Sequence, residues 1–362
     1  MVKLLCIVGA RPNFIKIAPL LKAFRTGSDR ISARLVHTGQ HYDADMSDVF
    51  FQTLQIPNPD YFLGVGSGTH AQQTAAIMCA VEPVLLDEKP DGLLVVGDVN
   101  STLACSLTAA KLGVPVIHVE AGLRSRDRSM PEEINRIVTD SLSDLLFATS
   151  EDARNNLLAE NRPAENIHVV GNIMIDALCS VEPQIKASSI VNTIGMKDYL
   201  LLTLHRPENV DNKDQFERVI DTMITLSQSR PVLWPMHPRA KAKLSEFGLL
   251  SRIEQASAIH IRPPLGYIET LALMKNAAAV ITDSGGIQEE TTYLGAPCFT
   301  VRKNTERPET ITMGTNQLST PQSLLGDLQR LFENGPPPST IPPLWDGHTA
   351  QRITQVLESY FR

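Results

Sequence analysis

The sequence predicts an α/β chain made of two parallel-sheet units, and three observations carry that prediction. Short apolar runs alternate with longer stretches of helical periodicity. The runs are rich in Val, Ile and Leu and lack the strict polar alternation of half-exposed strands, as expected of strands covered on both faces. The same rhythm begins again after about residue 190. At 362 residues, against roughly 150 per domain, the length also suits two units.

In order, the first half reads as strands at 4–8, 34–38, 93–96, 116–119 and 167–170. Helices are expected between them at 14–24, 45–54, 71–86, 102–111, 132–141 and 151–160. Strand–helix–strand alternation requires crossover connections, hence a parallel sheet. The second half gives strands at 199–204, 232–236, 258–261, 279–282 and 298–301, with helices at 212–227, 238–247, 268–275 and 287–294. The stretch 171–195 holds a helix at 174–180 and then Pro183, which marks the join. Gly335-Pro336-Pro337-Pro338 and Pro342-Pro343 form a stiff spacer before an amphipathic helix at 348–360. The expected domains are 1–171 with 346–362, and 172–345.

The balance of 33 Lys and Arg against 40 Asp and Glu gives a net charge of −7. That is a poor match to a nucleic-acid backbone, although one small anion in a locally basic cleft is compatible with it. The opening run Leu4-Leu5-Cys6-Ile7-Val8 is too short for the core of a signal peptide, and no run reaches the ~20 apolar residues of a membrane span. Cys6, Cys79, Cys105, Cys179 and Cys298 show no C-x-x-C spacing and read as reduced core thiols of a cytoplasmic protein.

In open α/β sheets ligands bind beyond the carboxyl ends of the strands, and polar residues crowd those positions here. Gly9-Ala10-Arg11-Pro12-Asn13, Gly97-Asp98, Glu120-Ala121-Gly122, His205-Arg206, His237-Pro238 and Asp283-Ser284-Gly285-Gly286 each follow a strand. This pattern points to one cleft between the two units. Ser284-Gly285-Gly286 opens a helix whose free N–H groups and dipole would bind an anion, although an ordinary N-cap with a glycine turn is equally compatible. Early in that helix, one of Glu289 and Glu290 could hydrogen-bond a ribose diol. Arg11, Lys16, Arg302, Lys303 and Arg307 suit a diphosphate, against the ordinary fate of solvated surface charge.

Asp98, Glu120, Glu132 and Glu133 are candidates to divide acid and base work. The competing readings are an Asp capping the next helix and a capping Glu after Pro131. His205 and His237 are the candidate histidines. His118-Val119-Glu120 has the H-x-E pattern of zinc deaminases but lacks a P-C-x-x-C partner, and neither H-E-x-x-H nor a P-loop motif occurs.

Taken together, Gly9-Ala10-Arg11-Pro12, Ile15-Lys16, Gly97-Asp98, His118 to Arg124, Pro131-Glu132-Glu133, Asn135-Arg136, Thr282 to Glu290 and Thr305 to Glu309 resemble the non-hydrolysing UDP-N-acetylglucosamine 2-epimerases. The match runs in order over nearly the whole chain. The resemblance implies a GT-B fold, two Rossmann-like parallel-sheet domains facing a central cleft, in a homodimer. It assigns Arg11, His205, Ser284, Gly285, Gly286, Glu290 and Arg307 to UDP. Asp98, Glu120 and Glu132 become the catalytic carboxylates, with His205 counted beside them and Lys16 and Arg136 nearby. His237 is kept as a substrate-binding candidate.

The implied reaction is inversion at C2 through loss of UDP to a 2-acetamidoglucal and re-addition, supplying surface polysaccharide precursors. No metal or cofactor is called for by this scheme, and neither a nucleic acid nor a membrane is an expected partner. Epimerases of UDP-2,3-diacetamido-2,3-dideoxyglucuronic acid share the G-A-R-P-x-F opening and are the alternative, with a GT-B glycosyltransferase behind them. Gln40-His41-Tyr42-Asp43 keeps part of a motif that binds an activating substrate in some members.

Overall fold

A computed structural model describes residues 1–40, 51 and 53–362. Most of the helix expected at 45–54 and most of the Gln40–Asp43 motif lie outside the described residues. The chain divides into two compact units, Met1–Ser180 with Pro343–Arg362, and Val181–Pro342.

The first unit is built on a seven-stranded sheet. Its strands are β1 (Val2–Val8), β2 (Ile31–His37), β3 (Tyr61–Phe62), β4 (Gly92–Val96), β5 (Val116–Ala121), β6 (Leu145–Ala148) and β7 (Ile167–Val169), in the order β3-β2-β1-β4-β5-β6-β7. Every pairing is parallel. The second unit repeats the plan with β8 (Leu200–Thr203), β9 (Val232–Pro235), β10 (Ile259–Arg262), β11 (Ala279–Thr282), β12 (Cys298–Val301) and β13 (Asn316–Ser319), in the order β10-β9-β8-β11-β12-β13. These pairings are parallel too. In each sheet the winding reverses between the first and fourth strands, the Rossmann arrangement.

The apolar runs behave as strands buried on both faces. All five residues of β4 and all six of β5 are buried. In the second unit Leu200, Leu202, Val232 and Trp234 pack with Phe216, Val219 and Met223 of the helix Lys213–Ser227 into one core. Three strands and one long helix escaped the sequence reading, each for a physical reason. Strand β3 is a two-residue edge, β6 is a four-residue run close behind a helix, and β13 (Asn-Gln-Leu-Ser) has no apolar pattern. The helix Leu324–Asn334 buries Leu324, Leu328 and Leu331 at helical spacing, but it directly precedes the proline-rich spacer.

The helix Ile173–Ser180 and the last helix, Thr349–Tyr360, both pack on the helix Arg11–Gly27 in the first unit. Asp176 fastens this corner, its carboxylate accepting the N–H groups of Thr349 (3.1 Å) and Ala350 (2.8 Å). Cys6, Cys105 and Cys298 are buried, which pushes the Cys6 thiol up to about 12 and that of Cys298 to about 11. Cys79, exposed on the helix His70–Glu88, and the half-buried Cys179 correct the expectation of five core thiols. Among the described residues no helix is long and apolar enough to cross a membrane.

Gly122, just beyond β5, has φ +83°, and a Cβ there would stand 2.3 Å from the Ala153 carbonyl oxygen. Backbone conformation and close approach both demand glycine. Gly122→Ala is expected to destabilise the first unit by about 2–4 kcal/mol, read as a lower urea midpoint. An unchanged midpoint would show that the loop relaxes freely.

Candidate functional site

The polar residues singled out in the first half collect at the carboxyl ends of β1, β4 and β5, where the strand order reverses. The exit of β1 is shaped by Asn13. Its Oδ1 accepts the N–H groups of Gly9 (3.1 Å) and Ala10 (3.2 Å), and its Nδ2 donates to the Val96 carbonyl (2.8 Å). This ties β1 to β4 and starts the helix Arg11–Gly27, with Arg11 exposed at its first position. One turn on, Lys16 is only 5% exposed and forms an ion pair with Glu120, itself 3% exposed. Both charges are buried and cancel, so neither is left as an uncompensated interior charge.

Glu120 is held unusually. Its φ is +76°, and the register between β5 and β6 slips between Val119 and Ala121. A non-glycine residue in the left-handed region costs about 1–3 kcal/mol and persists only where the surroundings enforce it. Here the bulge re-aims the carboxylate toward Lys16.

Asp98 follows β4 and does not cap the next helix. The helix Asn100–Lys111 starts from Val99 with no side-chain cap. The Asp98 carboxylate instead meets the Arg136 guanidinium at 2.5 Å, with a quarter of its side-chain surface open. Arg136 is fully buried, and its Nε (3.0 Å) and second terminal nitrogen (2.6 Å) both donate to Glu133 Oε2.

Glu133 also accepts the backbone N–H groups of Ser125 (3.0 Å) and Arg126 (2.8 Å). Burial alone would raise its carboxyl. The Ser125 N–H and the Arg136 guanidinium outweigh that and hold it below the usual range. Glu133 is therefore committed to structure. Glu132, the preceding residue, is half-buried, and its carboxylate has no hydrogen bond or ion pair among the described residues. The two neighbours, alike in sequence, separate into a clamp and an unengaged carboxylate.

In the second unit, Asp283 organises the exits of β8 and β11. It is fully buried and accepts from the backbone N–H groups of His205 (3.1 Å) and Arg206 (2.9 Å) and from Asn209 Nδ2 (3.2 Å). His205 Nδ1 lies 2.8 Å from Asp283 Oδ1, and the imidazole remains well exposed. Burial works to raise the Asp283 carboxyl, but His205 and these N–H groups hold it down. The His205 and His237 rings stand 5.8 Å apart. His237 is exposed and caps the helix Pro238–Glu246, its Nδ1 accepting the Arg239 N–H (3.1 Å).

Ser284 occupies the N-cap of the helix Gly285–Leu294 without capping it through its side chain. The first-turn N–H groups, from half-exposed residues, keep the anion-binding character of a helix start. Arg307 is brought to this end. A Cβ on Gly285 would come within 2.8 Å of its guanidinium, so glycine makes the approach possible. Arg307 pairs with Glu289 (2.8 Å) and with Glu306. Arg302 also pairs with Glu306 (2.9 Å), and Glu290 is buried on the same helix. Lys303 is exposed, in keeping with a solvated surface charge.

The sequence reading missed His118 as a functional residue, along with Asp140. Both are wholly buried, and His118 Nδ1 lies 2.6 Å from Asp140 Oδ1. A signal was present: Glu133, Arg136 and Asp140 fall on one face of the helix Pro131–Leu142, a charged stripe on the side that is buried.

A family model described as UDP-N-acetylglucosamine 2-epimerase matches residues 25–358. A relative from Methanocaldococcus jannaschii, named UDP-N-acetylglucosamine 2-epimerase, is 46% identical over 323 residues, covering 87% of this chain and 88% of its own. A relative from Pseudomonas aeruginosa, named UDP-2,3-diacetamido-2,3-dideoxy-D-glucuronate 2-epimerase, is 42% identical over 319 residues with the same two coverages, 87% and 88%. The crystal structure of the Methanocaldococcus jannaschii UDP-GlcNAc 2-epimerase in complex with UDP-GlcNAc and UDP matches with a TM-score of 0.91 at 42% identity. That match covers 99% of this chain and 100% of the other.

Glu133, Asp140 and Asp283 all have folded-state pKa values below the ordinary carboxylate range. Their contribution to stability is fully present above the unfolded values of about 4 and is lost as pH falls through the folded ones. The share of the urea midpoint that these three carboxylates contribute is expected to hold from pH 7 to 5 and to drop below about pH 4. In Asp283→Asn, with one of these carboxylates removed, the acid drop should be shallower; an identical profile would count against Asp283 as a contributor.

Proposed function

The chain belongs to the UDP-N-acetylglucosamine 2-epimerase family, and from that premise we propose that it interconverts UDP-N-acetylglucosamine and UDP-N-acetylmannosamine. The observation that carries this reading is a pair of carboxylates at adjacent strand exits, Asp98 and Glu120, each held by a buried cation, Arg136 and Lys16. Transfer of a sugar to an acceptor needs no group to remove a proton from C2. A pair of positioned carboxylates suits epimerisation better than it suits a glycosyltransferase.

The chemistry follows from the weakness of C2–H as an acid. A carboxylate takes the C2 proton as the C1–O bond breaks and its electron pair leaves on UDP, giving 2-acetamidoglucal. UDP then re-adds at C1 while a proton is delivered to the opposite face of C2. Asp98, Glu120 and the unengaged Glu132 are the proposed proton carriers, and His205 is proposed as a further catalytic group. Arg11, Arg307, Glu290 and the N–H groups that follow Ser284 at Gly285 and Gly286 bind UDP and stabilise the charge it gains on leaving. His237 is proposed as a further substrate contact. The protein acts in the cytoplasm as a homodimer, on a soluble UDP-sugar.

The relative named for UDP-2,3-diacetamido-2,3-dideoxy-D-glucuronate, at 42% identity, supports a second reading with that sugar as substrate. Both sugars undergo the same C2 chemistry, so they separate by offering each in D₂O and comparing kcat/KM. UDP-N-acetylglucosamine should gain deuterium at C2 without an acceptor. Release of UDP without C2 exchange would end the epimerase reading.

Asp98→Asn and Glu120→Gln are expected to lower kcat by about 10²–10⁴-fold, with UDP affinity by calorimetry little changed. Arg307→Ala should do the opposite, weakening UDP binding roughly tenfold or more. Unchanged affinity in Arg307→Ala would remove that residue from the nucleotide site.

A further inference from the structure

A histidine in the middle of a fully buried strand needs partners for both ring nitrogens, since each unsatisfied buried polar atom is costly. His118 on β5 finds two. Nδ1 lies 2.6 Å from Asp140 Oδ1, and Nε2 lies 2.8 Å from the carbonyl oxygen of Gly97. Carboxylate and carbonyl oxygens both accept, so the ring stands between two acceptors and spans the distance from Asp140 to Gly97. Asp140 is anchored in turn. Its Oδ2 accepts the Gly122 N–H (3.1 Å) and pairs with Arg124 (2.7 Å), whose guanidinium reaches Glu160 (2.6 Å).

The places where this strut ends are informative. Gly97 is gripped from both sides, its N–H donating to the Val119 carbonyl (3.1 Å) and its own carbonyl accepting from His118. The next residue is Asp98. On the other strand, Glu120 follows His118 by two residues and sits in the bulge, with Gly122 fastened just beyond it by Asp140.

We infer that His118 is a positioning residue for the epimerase reaction, tying the Gly97 carbonyl to Asp140 and so fixing the two strand ends that carry Asp98 and Glu120. The inference rests on the proposed role of those two carboxylates. His118 does not meet the substrate. It sets the separation of groups that do, and a misplacement of about 1 Å can cost roughly 100-fold in rate.

Two amide variants separate positioning from mere filling of space. The Gln amide nitrogen reaches the place of Nε2 and can still donate to Gly97. The Asn amide nitrogen reaches only the place of Nδ1, toward Asp140. His118→Asn is expected to lose about 100-fold in kcat for C2 deuterium exchange, with KM shifted less than about threefold. His118→Gln should recover to within about tenfold of the unsubstituted protein. UDP affinity by calorimetry should stay constant in both.

Equal kcat in the two variants, at equal thermal stability, would overturn the inference. Should either variant fail to fold, Asp140→Asn weakens the anchor behind the ring while leaving the Gly97 bond. A fall of about tenfold in kcat at constant KM is then expected, and an unchanged kcat overturns the inference. Absence of C2 exchange in the unsubstituted protein would instead defeat the functional reading beneath it.

Discussion

The reversal of winding direction in each sheet is the constraint on which the rest depends. A right-handed crossover places successive helices on one face while the strands advance one way, and on the other face when the chain returns to the centre. Between β1 and β4, and again between β8 and β11, the connections leave in opposite directions and a gap opens beyond the strand ends. Backbone groups at those ends lack strand partners, so short polar side chains must complete them. Asn13 does this in the first unit and Asp283 in the second.

The charges that gather there are deeply buried, and their pairing is what makes that tolerable. An isolated ion in a protein interior is costly, whereas a pair whose remaining hydrogen-bonding capacity is satisfied can persist. Arg136 satisfies Asp98 and Glu133 together, and Lys16 satisfies Glu120. These contacts are poor devices for stability, since apolar residues of equal volume would often do as well. Their value lies in fixing carboxylates within small tolerances. The left-handed backbone of Glu120 points the same way, because local strain persists where neighbouring structure enforces one geometry.

The two units differ in the charges they present at their strand ends. Carboxylates with individual cation partners concentrate in the first. The second presents a glycine-opened helix start, an exposed histidine backed by a buried aspartate, and arginines already paired with glutamates. Those glutamates hold Arg302 and Arg307 in fixed positions.

Periodicity and strand-exit chemistry in the sequence were enough to establish two parallel α/β sheets, most of their strands and the polar clusters that follow them. These features are local, because a buried parallel strand must be apolar throughout and ligand-facing residues must come after it. The edge strands β3 and β13 were not legible, since an edge is decided by the neighbour it pairs with and needs no apolar pattern. Nor could Glu132 be told from Glu133, or His118 assigned a task. Those distinctions depend on which side chain turns inward to meet Arg136, Asp140 or the Gly97 carbonyl, contacts that join residues from 3 to 22 positions apart. Only the packed tertiary structure brings such groups within hydrogen-bonding reach, and only there does burial make each pairing obligatory.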